Sequence, residues 1–342
     1  MDARFSPEQR ALRESAAQVV DRLGPKAVAD LDDSDRTSKL EAAVATAGWR
    51  ELRDDVGDGS PLASAVEAAI VAEELGRGLA DVAYLGPLLA ADLARRAGLD
   101  EASGLTIALS ADLGALAASG DADTAVAFDA SAATAAILLE ETADGHRLLV
   151  ADVRDHAPHL DLTRRVGTID AGGVAALPQA VAIDRDALTA WTAFGLAVAC
   201  ADLVGVMRGA VRLSTDYASV RRQYGHTIGS FQAVQHLLAD ALVATEGSYS
   251  AALYAAWAVD ALPPDEALDA ARVAKAYCGR AARVVGETAV QVHGGIGNTW
   301  DCLAHVYLRR ALLTTAVLGG TGASLTHVLS RHGIEGGFDG LR

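Results

Sequence analysis

Between Pro263-Pro264 and Gly294-Gly295 the chain carries one unbroken helical stripe: Leu268, Ala271, Ala274, Cys278, Ala281, Val285, Ala289 and Val292. Apolar residues recurring every three or four positions over such a run put one narrow face on a long helix. Because that face is mostly alanine, it is buried only if neighbouring helices approach closely. The proline pair and the glycine pair are the breakers that bound it. Two more helical runs precede it, from Asp186 to about Ser219 and from Ser230 to Leu262, and a fourth follows from about Thr299. Four long helices with short connections predict an antiparallel bundle.

The first hundred residues also read as helices. Ser6-Pro7-Glu8-Gln9 places Ser at the N-cap, Pro at N1 and Gln at N3, and Leu12, Ala16, Val19 and Leu23 follow at helical spacing up to Gly24-Pro25. Ser60-Pro61 repeats the start signal before Val66–Leu75, and a third helix is expected over Pro87–Ala97. From Gly104 the texture changes to short apolar bursts between Gly and Asp: Leu105–Leu109, Thr124–Phe128, Ala136–Glu140, Leu148–Val153 and Val166–Ile169. Such bursts are strand signals. The expectation is a mainly α chain with a small β domain: an N-terminal helical domain over 1–103, a reduced middle sheet or barrel over 104–185, and a C-terminal four-helix bundle over 186–342.

Composition narrows the partners. Apolar residues make up 51% of the 342 residues but aromatics only 5%, so alanine supplies the core, and part of the apolar surface is expected to be covered by other subunits. With 29 basic and 45 acidic residues the net charge is −16, which repels a phosphate backbone and argues against nucleic acid. Cys200, Cys278 and Cys302 lack metal-ligand spacing and read as reduced, packed thiols; no metal is expected. Met1–Arg13 is polar and charged, unlike a signal peptide, so a cytoplasmic location is expected. The charge-free stretch Ala311–Ser330 reads as buried helix and loop rather than a membrane span, being rich in Thr, Gly and Ser.

Two segments differ from ordinary bundle sequence. The first runs from Tyr217 through Arg221-Arg-Gln223-Tyr224-Gly225 to Ile228, Gly229, Phe231 and Gln232; the second runs from Gln291 through His293, Gly294, Gly295 and Gly297 to Asn298, Thr299, Trp300 and Asp301. Glycines let a backbone approach a ligand closely, and arginine and glutamine supply donors suited to phosphate oxygens. Singly, each has an ordinary reading, a helix C-cap or a surface charge. Together, about seventy residues apart, they resemble the acyl-CoA dehydrogenase family. The family's Arg-x-Gln-Phe-Gly…Phe-Gln is matched by Arg221 to Gln232, and its Gln-x-x-Gly-Gly-x-Gly by Gln291 to Gly297. The continuation Thr299-Trp300-Asp301, His305 and Tyr307-Leu308-Arg309-Arg310 fits as well, as does Glu73-Glu74-Leu75-Gly76-Arg77.

The resemblance implies that these segments reach across a subunit interface to FAD held mainly by a neighbouring chain. Arg221 and Gln232 would meet the pyrophosphate and adenosine, and Tyr224 would pack on the cofactor. Gln291, Gly294 and Gly295 would line the adenine-pyrophosphate end, while Gln223 and Phe231 belong to the first motif with Arg221, Tyr224 and Gln232. His226, His293 and His305 are read as structural, and Asn298 or Thr299 as an N-cap.

Family members remove a proton alpha to a thioester with a carboxylate base, placed at one of two positions. Here the later position falls in Val317-Leu318-Gly319-Gly320-Thr321, and no Asp or Glu lies between Asp301 and Glu335; the earlier falls on Gly195, and no acid lies between Asp186 and Asp202. The family's Thr-Glu-Pro and Asn-Gly-x-Lys stretches are also missing from Leu105–Leu113 and Leu148–Val153. The chain therefore resembles the short, glutamate-lacking subunit of actinobacterial α2β2 acyl-CoA dehydrogenases of the steroid side-chain type. That resemblance implies a second chain carrying the catalytic Glu, an acyl-CoA substrate in the complex and an electron-transfer acceptor. The alternatives are a self-sufficient homo-oligomer with Asp202 as a displaced base, expected to tolerate Asp202→Asn without loss of fold, or a flavin-free helical scaffold.

Overall fold

The computed structural model describes residues 3–99, 102–131, 133–142, 145–157, 160–177 and 182–334. The N-terminal part holds α1 (Pro7–Leu23), α2 (Ser34–Thr46), α3 (Ala65–Arg77) and α4 (Leu85–Arg96). The expected capping box is formed: Ser6 accepts from the Gln9 N–H and the Gln9 side chain accepts from the Ser6 N–H. Two details differ. α2, capped by Asp33, is a helix beyond those the sequence pattern predicts, and α3 is capped by Ser64 rather than started at Ser60-Pro61. Three residues separate the two serines, and only Ser64 directly precedes the helical run with its hydroxyl on the Val66 N–H.

Strands β1 (Leu105–Leu109), β2 (Val126–Phe128), β3 (Ala135–Thr142), β4 (Gly145–Ala157) and β5 (Val166–Ile169) pair in the order β3-β1-β2-β5-β4, and β4 pairs back onto β3. The sheet is thus a closed five-stranded barrel, with the short strands β6 (Ala175–Ala176) and β7 (Ala182–Ile183) added to β4. Its interior is narrow, and Ala108, Ala117, Ala127, Ala130, Ala136 and Ala151 fill it with Leu138. Alternate residues Ile107, Leu109, Phe128, Ile137 and Leu148 face the main core instead. Both faces of these strands are buried, which is why the sequence shows apolar bursts without polar alternation.

The C-terminal part begins with α5 (Arg185–Val220), continues through the hairpin β8 (Arg222–Gln223) and β9 (His226–Thr227), and adds α6 (Gln232–Ala261) and α7 (Pro264–His293). α8 (Ala304–Ala316) and α9 (Thr321–Arg331) follow. α5 is buried along most of its length and forms the axis of the molecule. α3 crosses it where Gly76 faces the Asp202 carbonyl, so closely that a Cβ would lie 2.5 Å from that oxygen. The α7 stripe is buried as its spacing predicts, Leu268 alone being half-exposed. The fourth long helix is instead two, because the turn Val317–Gly320 breaks it. α8 is well buried but α9 buries only Ser324, so the buried reading of Ala311–Ser330 holds for its first half alone. Among the described residues, two stretches are long and apolar enough to cross a membrane, Arg185–Val220 and Ala304–Arg331; in the most apolar 18-residue window of the first, 94% of the residues are buried inside the bundle. All three cysteines are free and buried.

Candidate functional site

The two glycine-containing segments meet at one end of the bundle. Tyr217, in the last turn of α5, stacks its ring on that of His293, the last residue of α7, with centroids 4.4 Å apart and planes 23° apart. Beyond Tyr217 the chain leaves α5 at Arg221 and turns through a two-residue hairpin, in which Tyr224 and Gly225 take φ values of +52° and +80°. Two successive positive φ values match the right-handed twist of the flanking strands, and glycine bears one of them without strain. Tyr224 therefore stands at the tip, 92% exposed.

Around this tip the polar groups are unspent. Among the described residues, the side chains of Arg221, Gln232 and Gln291 make no intrachain hydrogen bond, and all three are exposed. Gln232 opens the 30-residue α6, whose N-cap residue Phe231 has no side-chain hydrogen bond, so the positive end of that helix is open. Gln223 differs: its amide donates to the Arg222 carbonyl at 2.9 Å. At the other segment Gly294 has φ +63°, and a Cβ on Gly294 or Gly295 would meet nothing within 4 Å. The backbone there is bare and faces outward. Asn298 and Thr299 do not cap α8: they close a short 3-10 turn over Gly294–Asn298, and the Thr299 hydroxyl donates back to the Ile296 carbonyl. His305 is buried edge-on against Trp300 at 5.5 Å, while His226 is exposed in β9.

The interior is the opposite case. Gly195 lies on α5 facing the turn after α8, and a Cβ there would overlap Leu318 Cδ1 and sit 3.2 Å from Leu89 Cδ2. Leu318 is 2% exposed with φ +56°, and Gly319 follows at +93°. Side chains on α7 hold this turn in place. Lys275 donates to the Thr314 and Val317 carbonyls at 2.7 and 2.9 Å, and Arg272 donates to the Leu318 carbonyl at 2.8 Å. Burial pushes the Lys275 pKa down to about 8. The two positions where an acid base would be expected thus touch each other, and leucine occupies the space between them.

One helical stretch further on, Asp202 is 1% exposed and fully engaged. Arg310 Nη2 and Arg164 Nη2 reach its Oδ1 at 2.6 and 2.9 Å, and Thr314 donates to Oδ2 at 3.0 Å. Arg310 also donates to the Ala80 carbonyl at 2.8 Å and to Thr163 at 3.1 Å. The cluster therefore ties the N-terminal helices, the barrel and the bundle at one point. Burial acts to raise the Asp202 pKa, but the charges of Arg164 and Arg310, with hydrogen bonds from Arg310 and Thr314, outweigh it and hold the carboxyl below its usual range. A carboxylate so held is a weak proton acceptor. Two surface hollows of about 280 and 390 Å³ lie elsewhere, against α6 and α7 and beside Arg50 and Ser103, and neither is lined by Gly195, Asp202 or Leu318.

A family model for the C-terminal domain of acyl-CoA dehydrogenases matches residues 189–334. Acyl-CoA dehydrogenase IpdE2 of Mycobacterium tuberculosis is 30% identical over 318 residues, covering 89% of this chain and 91% of that protein. This chain belongs to the acyl-CoA dehydrogenase family. Acyl-CoA dehydrogenase FadE34 of the same species is 42% identical over 131 residues, which span 38% of this chain and only 18% of FadE34. The ChsE4-ChsE5 complex from Mycobacterium tuberculosis contains a chain that superposes with a TM-score of 0.80 at 25% identity, over 98% of this chain and 100% of that one.

FAD is the cofactor of this acyl-CoA dehydrogenase family, and the chain can be tested against it residue by residue. The outer end fits: bare glycine backbone, an open helix N-terminus and three unspent donors surround space in which phosphates could approach. The interior does not fit, since Leu318 and Leu89 leave no room beside Gly195. Sequence reasoning missed Arg164, Arg310, Leu318 and the Tyr217–His293 stack as determinants. Arg310 and Tyr217 lie in quoted motifs, but no spacing rule pairs Arg164 with Asp202, which come from different domains.

Proposed function

We propose that this chain is the non-catalytic subunit of a heteromeric acyl-CoA dehydrogenase, lending its outer segments to complete the FAD site of a glutamate-bearing partner. The observation that carries this reading is the contrast at Gly195 and Gly294. The half of the site a chain keeps for itself is filled by Leu318, and the half it would lend is open. In the complex, FAD would accept the β hydride of the acyl thioester. Arg221 would neutralise the pyrophosphate, Gln232 and Gln291 would donate to its oxygens or to the adenosine, and Gly294 and Gly295 would let the backbone approach. Tyr224, with Gln223 and Phe231 beside it, would pack against the cofactor or the partner.

The outer faces of α6 and α7 support a partner chain. Val243, Val273, Tyr277 and Val284 remain between 47 and 71% exposed on helices that lead to Gln232 and Gln291. Likeness to a chain of a solved two-protein complex is consistent with an α2β2 assembly, and the resemblance to steroid side-chain enzymes makes a steroid side-chain thioester the proposed substrate class. The Asp202-base alternative is disfavoured by the two guanidiniums that saturate that carboxylate. Three exposed, unspent donors around bare glycines disfavour a flavin-free scaffold.

The test is expression alone and with the candidate partner. The chain alone should be colourless and poorly soluble, and the complex yellow with fewer than one FAD per chain. A soluble yellow homo-oligomer with one flavin per chain and full dehydrogenase activity would overturn the reading.

A further inference from the structure

The two segments proposed to meet the cofactor belong to separate connections, about seventy residues apart, and both are exposed and rich in glycine. A pyrophosphate can be clamped by both only if something fixes their separation. The structure contains one continuous path between them. The His293 ring is buried and anchored by a 2.7 Å contact of Nδ1 with the Ala289 carbonyl, which in the neutral ring makes Nδ1 the donor. Its face stacks on the Tyr217 ring at 4.4 Å. The Tyr217 carbonyl accepts the Arg221 N–H at 2.8 Å, and the Arg221 carbonyl accepts the Ile228 N–H at 2.8 Å, closing the hairpin. Gly229 then lies so close to the Ala218 carbonyl that a Cβ would be 2.9 Å from it. Tyr217 therefore contacts both segments at once: one through its ring, the other through its backbone.

We propose that Tyr217 and His293 form a positioning pair, whose stacked rings hold the Arg221 hairpin and the Gly294 turn at the separation needed to grip one dinucleotide pyrophosphate. This rests on the cross-subunit reading above and adds two residues that need not touch the cofactor. Neither ring requires a charge or a hydroxyl for this task. Phenylalanine at Tyr217 should serve, because it keeps the stack and leaves the His293 Nδ1 anchor in place, and alanine at either position should not.

The experiment uses the chain in its flavin-bearing complex, with FAD removed and then titrated back. Tyr217→Ala and His293→Ala should bind FAD about 2- to 10-fold more weakly, the range a lost aromatic stack supports. Hydrogen–deuterium exchange over 217–232 and 289–299 should be faster in both variants before FAD is added. Tyr217→Phe should keep the wild-type affinity and protection. Unchanged exchange in the alanine variants, or faster exchange with unchanged FAD affinity, would overturn the pairing. Should an alanine variant fail to fold, the Tyr217→Phe comparison decides, because loss of FAD affinity there at unchanged thermal midpoint contradicts a stacking role. A wild-type complex that never binds FAD would instead overturn the cross-subunit reading, and the exchange data would still report whether the rings hold the segments together.

Discussion

Replacing Asp202 with asparagine removes one negative charge from a site where Arg164 and Arg310 both point at the same oxygen. The amide is nearly isosteric, so packing is preserved and the change isolates charge. Its NH2 group, however, meets donor with donor if it faces the guanidiniums, and if it faces Thr314 it forces that hydroxyl from donor to acceptor. Breaking a buried ion pair by removing one partner costs about 3–5 kcal/mol. For 342 residues at about 2.1 cal/mol/K of unfolding entropy each, the chain carries roughly 0.7 kcal/mol/K. The melting temperature should therefore fall by about 4–7 °C, read by circular dichroism or calorimetry on the complex. Turnover below the melt should nonetheless stay within about two- to threefold, because Asp202 lies about 10 Å along α5 from Gly195. A midpoint unchanged within 1 °C would refute the structural role. A rate loss of 100-fold or more with flavin retained would refute the non-catalytic reading.

The same cluster sets an acid limit. The Asp202 pKa is lower folded than unfolded, so its contribution is present above the unfolded value of about 3.9 and fades as pH falls through the folded pKa. The urea-midpoint gap between wild type and Asp202→Asn should therefore narrow below about pH 4. Gly195→Ala should destabilise by about 1–3 kcal/mol through overlap with Leu318, and adding Leu318→Ala should recover part of that loss in a double-mutant cycle. Additive effects would mean the two residues do not touch. Arg221→Ala or Gln291→Ala should weaken FAD binding by the complex about 5- to 150-fold, equivalent to about 1–3 kcal/mol each, measured by flavin release. Full flavin content in both variants would remove those residues from the site.

The bundle and the strands were legible because each depends on a local period. The α7 stripe, the Ser6 capping box and the Leu105–Leu109 burst are each dictated by a few adjacent residues, and each forms where its pattern lies. α2 escaped notice because its short run Ser34–Thr46 is polar on most faces and its cap is a lone Asp33 among acids. The two cofactor segments were recognisable for a related reason: glycines, arginines and amides are unusual next to alanine-rich helices. The missing acid at Gly195 was legible only through the resemblance to the family, which supplies the position where a base is expected.

What filled that space could not be read in advance. Leu318 reaches Gly195 only because the turn after α8 takes positive φ values and is held by Lys275 and Arg272 from α7. Asp202 looked like a free carboxylate one stretch from the expected base. It became half of an ion cluster when the barrel brought Arg164 to it and α8 brought Arg310. The stacking of Tyr217 on His293 likewise depends on two helix ends arriving together. Local sequence sets where a helix starts, which face is apolar and which side chains can donate. Whether a carboxylate is free or saturated, and whether a cavity is open or filled, depends on residues far apart in the chain. Packing decides those, because charge and volume are neutralised by whatever neighbour the fold delivers.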